Sequence, residues 1–427
     1  MMLKSDLNRF DPATRREFML KTAKTALGVT LLPVSSQLAR AAAEGKGGGK
    51  AKHVIYLYMQ GGMSHIDTFD PKEGETKGYK DALKTSADGM QLGGYLEKLA
   101  KNGNKLSIIR SMTSKTGVHD QGNYLMHTGY DPRGTIVHPS MGAWGSHFLG
   151  RATKTLPDSV TINGGNGHAG AGFFPPALSP IPITNPDVGL QNVRPTTSDN
   201  NFKKRIDLMN EFDASFRKKF HSHEVKAYTE FYDETLSLMK SEDLKAFDLK
   251  LESPDTRAKY GMNSFGQGCL LARRLVENGV RFIEVQAGGW DMHNYIDDAM
   301  TKTGKVLDDG FSALLEDLQS KGLLDSTLVV LGSEFGRTPG INENSGRDHY
   351  PKVYSTVFAG GGVKGGFVYG ASDKEGREVA DKQVTPQDFL STIGYAMGLP
   401  IDEVVMSPSN RPFTVGDHGA AVTDLFA

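Results

Sequence analysis

Five short runs, each apolar, rich in β-branched residues and stopped by Gly or a polar residue, constrain this chain more than any other feature. They are "HVIYLYM" (53–59), "KLSIIRSM" (105–112), "VRFIEVQ" (280–286), "STLVVLG" (326–332) and "YSTVFAG" (354–360). Runs of this kind read as strands buried on both faces. Between the third and fourth, "YIDDAMTKTGKVLDDGFSALLEDLQSKG" places Met300, Leu307, Phe311, Leu314 and Leu318 near helical spacing, and Gly322 closes the segment. Strand, helix, strand in this order predicts an α/β fold, a mostly parallel sheet flanked by helices. Ligands of such sheets gather beyond the carboxyl ends of the strands. The loops "QGGMSHIDTFDP", "AGGWDMHN" and "GSEFGRTP", after the first, third and fourth runs, are therefore the places to look for chemistry.

One stretch breaks the rhythm. Residues 200–257 are charged, free of Gly and helical in pattern, and read as a helical insertion. Its His221 and His223 have no acid or cysteine at ligand spacing and read as solvated surface residues. The 427 residues, 38% of them hydrophobic, with 50 Gly and 19 Pro, supply one large or two moderate loop-rich domains. Lys plus Arg is 49 against 50 Asp plus Glu, so the basic excess that nucleic-acid binding requires is missing. The single cysteine, Cys269, shares a helical face with Phe265, Ala272 and Val276, reads as a core thiol and excludes intrachain disulfides.

The N-terminus reads as an address. "TRREFMLK" carries Arg15, Arg16, Phe18 and Lys21, a weakly apolar stretch follows, and Ala-x-Ala cleavage options lie around Ala39 to Ala43. This is the layout of a twin-arginine signal peptide over residues 1–43, followed by a flexible leader over 44–52. The apolar stretch is too short to span a bilayer, and no later one approaches the required length. The mature protein is expected in the periplasm or outside the cell.

Asp291 and His293 in "GGWDMHN" stand one residue apart, so an extended backbone points both side chains to one side. Asp and His are usual ligands of a borderline metal. The next strand is followed by Glu334, Arg337, Arg347, Asp348 and His349. Carboxylates, imidazoles and guanidinium groups drawn from separate strand ends suit a metal that holds an oxyanion, although ion pairs ordering long loops use the same residues. The first loop adds Ser64, His65, Asp67 and Asp70 beside two glycines, a turn that cradles an ion or simply caps a strand exit. His119 and His127 lie on a short expected helix, eight residues apart, and cannot both meet one ion while that helix is straight.

With "YMQGGMSHIDTFDPK", "YLMHTGYDP", "HPSMGAWGSHFLG", "GGWDMHN", "SEFGRTP" and "GRDHYP" in this order, the chain resembles the bacterial family called domain of unknown function 1501, over nearly all of its mature length. That family is similar to a distant branch of the alkaline phosphatase and sulfatase superfamily. The resemblance implies a metal held by Asp291, His293 and His349, with Asp348 or Glu334 beside them. At a second metal position Glu334 stands where the superfamily has Asp, Phe335 where it has His, and Asp67 is nearest to its first-strand aspartate. The position of the nucleophile, usually Ser, Thr or Cys, holds His119. The implied function is hydrolysis of phosphate or sulfate esters, on an anionic small molecule or a sulfated or phosphorylated glycan. A divalent ion (zinc, calcium or manganese) would activate water, His119 or His65 would act as general base, and Ser64, Arg337 or Arg347 would face the anion. The alternative is a binding or assembly protein that keeps the fold and the cleft without turnover.

Overall fold

Strand β1 (His53–Met59) sends Ile55, Leu57 and Met59 to one side of a sheet and Val54, Tyr56 and Tyr58 to the other, and both sets are buried. With no face in water the strand needs no polar residues, hence its uninterrupted apolar sequence. The computed structural model describes residues 49–164, 168–191, 193, 195–219 and 235–427. In chain order the sheet then takes β2 (Leu106–Met112), β3 (Ser159–Ile162), β4 (Ile181–Ile183), β5 (Phe282–Ala287), β6 (Thr327–Gly332), β7 (Tyr354–Gly360) and β8 (Phe367–Tyr369). Its spatial order is β8-β2-β7-β6-β1-β5-β3-β4. Only β7 runs against its neighbours β2 and β6; every other pairing is parallel. The expected α/β class and all five expected strands are present.

Helices cover both faces. Helix α1 (His119–Thr128), α2 (Met141–Leu149) and α6 (Pro386–Ala396) pack Met126, Trp144, Phe389 and Ile393 against the Tyr56 and Tyr58 side. Helix α4 (Ser264–Glu277) and α5 (Ile296–Ser320) bring Cys269, Leu271, Met300, Phe311 and Leu318 to the Ile55 and Leu57 side. Cys269 is fully buried, and burial pushes its thiol pKa up, so it is a core thiol rather than a reactive one.

Within residues 200–257 the described parts include a 21-residue helix, α3 (Asp199–Lys219), helical residues 235–239, two 3₁₀ segments and the helix Pro254–Tyr260. The twin-arginine leader, His221 and His223 lie outside the described residues. The end of the expected flexible leader already belongs to the fold: Ala51 is buried and its N–H donates to Ala396 O at 3.1 Å. Among the described residues, no helix is long and apolar enough to cross a membrane.

Because β1, β2, β5 and β6 run the same way and β7 opposes them, four strand ends and one strand start share a single sheet edge. All the loops singled out from the sequence open there.

Candidate metal centre

The loops are held together by backbone contact. Trp290 N donates to Gln60 O at 3.3 Å and Gln60 N to Ala287 O at 2.9 Å, zipping the loop after β1 to the loop after β5. Gly61 makes this possible: its φ is +123°, and a Cβ there would stand 2.4 Å from Asp291 N. The two glycines thus serve close approach of protein backbone, not an ion cradle. After β5, Trp290 and Met292 turn into the core while Asp291 and His293 face outward, as the one-residue spacing predicts. After β6, Gly336–Arg337 and His349–Tyr350 form a two-residue antiparallel ribbon that sets His349 opposite Arg337. Helix α1 begins at His119, and Gly122 one turn later lets Glu334 approach: a Cβ there would lie 2.9 Å from Glu334 Cβ.

Three imidazoles converge on one carboxylate oxygen. Asp291 Oδ1 lies 3.1 Å from His293 Nε2, 3.2 Å from His349 Nε2 and 3.4 Å from His119 Nε2. In each ring the other nitrogen is engaged by an oxygen. His119 Nδ1 meets Glu334 Oε1 at 2.7 Å, His293 Nδ1 meets Asp348 Oδ1 at 2.9 Å, and His349 Nδ1 meets the Gly117 carbonyl at 2.7 Å. A carbonyl or an ionised carboxylate only accepts, so each Nδ1 carries the hydrogen and each Nε2 presents a lone pair. His293 Nε2 and His349 Nε2 consequently face each other at 3.0 Å, lone pair to lone pair. His119 Nε2 is buried and has no hydrogen-bond partner among the described residues. Such a cluster of acceptors is repulsive unless a cation sits among them. Ligand atoms around a tetrahedral zinc ion at about 2.0–2.1 Å stand roughly 3.3 Å apart, close to the separations of Asp291 Oδ1 from each imidazole, and His119, Asp291 and His349 are the three whose ligand atoms lie within 4.8 Å of one another.

Burial pushes the Asp291 carboxyl up, but the hydrogen bond and charge of Arg337 outweigh it and hold the carboxyl at about 2. The hydrogen bond to Glu334 raises His119, against the effect of its partial burial. The bond from His293 lowers Asp348. Glu334, with no exposed surface, also accepts from Gly61 N at 2.7 Å, Ser333 Oγ at 3.2 Å and Tyr58 OH at 3.3 Å.

The remaining residues named from the sequence lie elsewhere. Arg337 and Arg347 are fully buried rather than facing an anion. Arg337 donates to the carbonyls of Gly61, Gly62 and Arg347 and to Asp291. Arg347 donates to the carbonyls of Thr338 and Pro339 and, at 2.8 Å, to Asp67 Oδ2. Asp67 is thereby closed in an ion pair, which Ser64 Oγ completes at 2.6 Å. His65 is fully buried, its Nε2–H donates to Gly376 O at 2.9 Å, and burial lowers its pKa. Long loops with many inward carbonyls need buried donors, and guanidinium groups supply them. His119 joins the cluster that the sequence reading assembled from Asp291, His293 and His349, while Glu334 and Asp348 stand behind the imidazoles.

A second group, His127, His168 and Glu284, was not foreseen; its ligand-type atoms lie within 4.8 Å of one another. Glu284 in "RFIEVQ" was the available signal, an acid inside a run otherwise fit for burial.

Solved structures similar to the chain include a sulfatase, PsFucS1, from Pseudoalteromonas sp., at 14% identity and TM-score 0.41, covering 93% of this chain and 76% of that one. Another is the 2-O GAG sulfatase BT1596, at 11% identity and TM-score 0.43, covering 87% and 74%. A third is a phosphonate monoester hydrolase from Silicibacter pomeroyi, at 10% identity and TM-score 0.34, covering 87% and 76%. No curated protein matches. A family model does: that of the proteins of unknown function DUF1501 matches residues 51–426, and the chain belongs to that family.

Proposed function

We propose that the protein is an exported metal-dependent hydrolase of phosphate or sulfate esters. One observation carries the reading: the Nε2 atoms of His119, His293 and His349 all stand within 3.4 Å of Asp291 Oδ1 at the sheet edge, and His119, Asp291 and His349 offer ligand atoms within 4.8 Å of one another. Asp291, His293, His349 and His119 would hold the ion. A donor set of three imidazoles and one carboxylate favours zinc or manganese over calcium, which takes oxygen ligands. When bound, the metal supplies Lewis acidity to an ester oxygen and acidifies a water.

The chain's own residues do the rest. Glu334, Asp348 and the Gly117 carbonyl fix the ring orientation and tautomer of the three imidazoles. Arg337 holds Asp291 from the buried side and keeps it ionised. Asp291 and His293 are 48% and 40% exposed, so the cluster opens to solvent on one side and can meet an ester of an anionic small molecule or a glycan. His119 serves as a ligand here instead of a general base, because Glu334 already takes its Nδ1–H and its Nε2 points inward.

A second reading, a protein that binds a cation and an anionic partner without turnover, is favoured by the burial of both arginines: Arg337 is taken up by Asp291 and loop carbonyls and Arg347 by Asp67, so neither guanidinium is open to an anion in the cleft. Metal analysis of the purified exported protein tests the shared part of both readings. About one equivalent of zinc or manganese is expected in the wild type and none in Asp291→Ala/His349→Ala; a metal-free wild type at neutral pH defeats both. Turnover of p-nitrophenyl phosphate or sulfate by the metal-loaded protein then separates enzyme from binder.

A further inference from the structure

Glu284 lies in the middle of the sheet, 2% exposed, and its carboxylate receives three groups. His127 Nε2 stands 3.0 Å from Oε1, His168 Nε2 stands 3.2 Å from Oε2, and Gln286 Nε2 donates to Oε1 at 2.6 Å. The cavity beside them, also lined by Tyr56, Ser159 and Thr161, measures about 10 Å³, room for one water-sized particle. Two imidazoles and a carboxylate suggest a metal, but the hydrogens decide otherwise.

His168 Nδ1 accepts from Gly170 N–H at 3.0 Å, so that nitrogen carries a lone pair and the hydrogen of the neutral ring sits on Nε2, pointing at Glu284. A nitrogen bearing a hydrogen does not ligate. His127 has the opposite arrangement: its Nδ1 meets the Asn123 carbonyl at 2.6 Å and must donate. A neutral His127 would then aim an Nε2 lone pair at a carboxylate oxygen 3.0 Å away. One positive charge is missing from this line. With His168 excluded as a ligand, a metal would keep only two protein donors here, too few for a stable site. A proton needs no more.

We propose that His127 is held as an imidazolium, locked by its two N–H groups between the Asn123 carbonyl and the Glu284 carboxylate, and that this buried ion pair seats the helix carrying His119 on the strand leading to Asp291. The proton belongs on His127 because donation from His168 and Gln286 keeps Glu284 ionised. Burial presses His127 down, yet the charge and hydrogen bond of Glu284 outweigh it and the net direction is up. Glu284 is driven up by burial and brought well below its ordinary range by His127 and His168. The other titratable groups facing His127 are Tyr56 and Tyr58, with ring centroids 5.9 and 4.4 Å away and both kept protonated by burial, then His168 and, beyond Tyr58, Glu334. A group raised on folding stabilises fully below its unfolded value, about 6.5, and loses that contribution as pH rises through the folded value. The latch therefore opens on the alkaline side. Its consequence for metal binding rests on the proposed metal centre; its protonation does not.

The test is the ¹⁵N spectrum of the imidazoles in the full-length exported protein at pH 7.5, with the His127 signals assigned by their loss in His127→Gln. Both His127 nitrogens are expected to carry hydrogen; a spectrum with a single protonated nitrogen overturns the proposal. Should His127→Gln not fold, Glu284→Gln provides the assignment, because His127 should then lose one hydrogen. Zinc titration of Asp291→Ala/His349→Ala is expected to show no remaining stoichiometric binding. One equivalent that disappears on adding Glu284→Gln would overturn the proposal in favour of a buried metal.

Discussion

Replacing Glu334 by Gln isolates the carboxylate behind His119. Glu334 is fully buried and accepts from His119 Nδ1 and Gly61 N on Oε1, and from Ser333 Oγ and Tyr58 OH on Oε2. A glutamine keeps the first pair if its carbonyl faces them. Its NH₂ then meets two hydroxyls whose hydrogens can turn to other acceptors, Ser333 Oγ to Met59 O at 2.7 Å and Tyr58 OH to Asn123 Oδ1 at 2.5 Å. Both hydroxyls can accept, so the variant leaves no buried group unpaired and should fold with nearly wild-type stability. What it loses is charge. A bond to a charged acceptor contributes about 1.5–3 kcal/mol and a neutral one about 0.5–1.5 kcal/mol, a difference of about 1–1.5 kcal/mol. If that difference passes to the metal through His119, zinc affinity falls roughly five- to twelvefold, overlapping the low end of second-shell effects. Competition with a chelating dye at pH 7.5 reads the affinity, and thermal unfolding reads the fold. Affinity within twofold of wild type, with melting unchanged, would show that His119 is not a ligand and that Glu334 only orders the loop. Glu334→Ala is the contrast: it strands His119 Nδ1–H and Gly61 N–H in the interior and should cost several kcal/mol of stability, on the order of 2–5.

Zinc affinity should decline as pH drops through about 7 to 6, because three imidazoles must shed protons to bind, and the raised His119 moves the decline upward; Asp291, at about 2, stays ionised throughout. A pH-independent affinity from 5 to 8 in a chelator assay, that range being about the span of imidazole titration, would remove the histidines from the site. Gly61→Ala forces a Cβ to within 2.4 Å of Asp291 N at a φ of +123°, so it should destabilise the fold on the order of 2–4 kcal/mol and lower the melting temperature; an unchanged melting curve refutes the close-approach account. Arg15→Lys/Arg16→Lys should leave uncleaved precursor in the cytoplasm, whereas mature protein at normal levels in the periplasmic fraction would remove the twin-arginine reading.

The strands were legible in the amino-acid sequence because burial on both faces demands an unbroken apolar run, and β1 and β7 span the same residues in structure as in sequence, His53–Met59 and Tyr354–Gly360. Asp291 and His293 do share a side, with Trp290 and Met292 turned into the core, although tight turns at Met292 and His293 rather than an extended chain place them there. The partners were not legible. Glu334 and Asp348 read as ligands and His119 as a base; the structure sets the two carboxylates against Nδ1 of His119 and of His293, and a sequence records which groups are present and not which way they point. Those directions depend on contacts between residues 215 and 55 positions apart, His119 with Glu334 and His293 with Asp348. Arg337 and Arg347 misled in the same way: a guanidinium in a loop reads as an anion's partner, until the loop folds over it and its own carbonyls take the hydrogens. Glu284 was legible only as an anomaly in an apolar run, not as a site. A lone acid in a strand carries no pattern, and its meaning came from His127 and His168, brought to it by a helix and a loop that the chain reaches more than a hundred residues earlier.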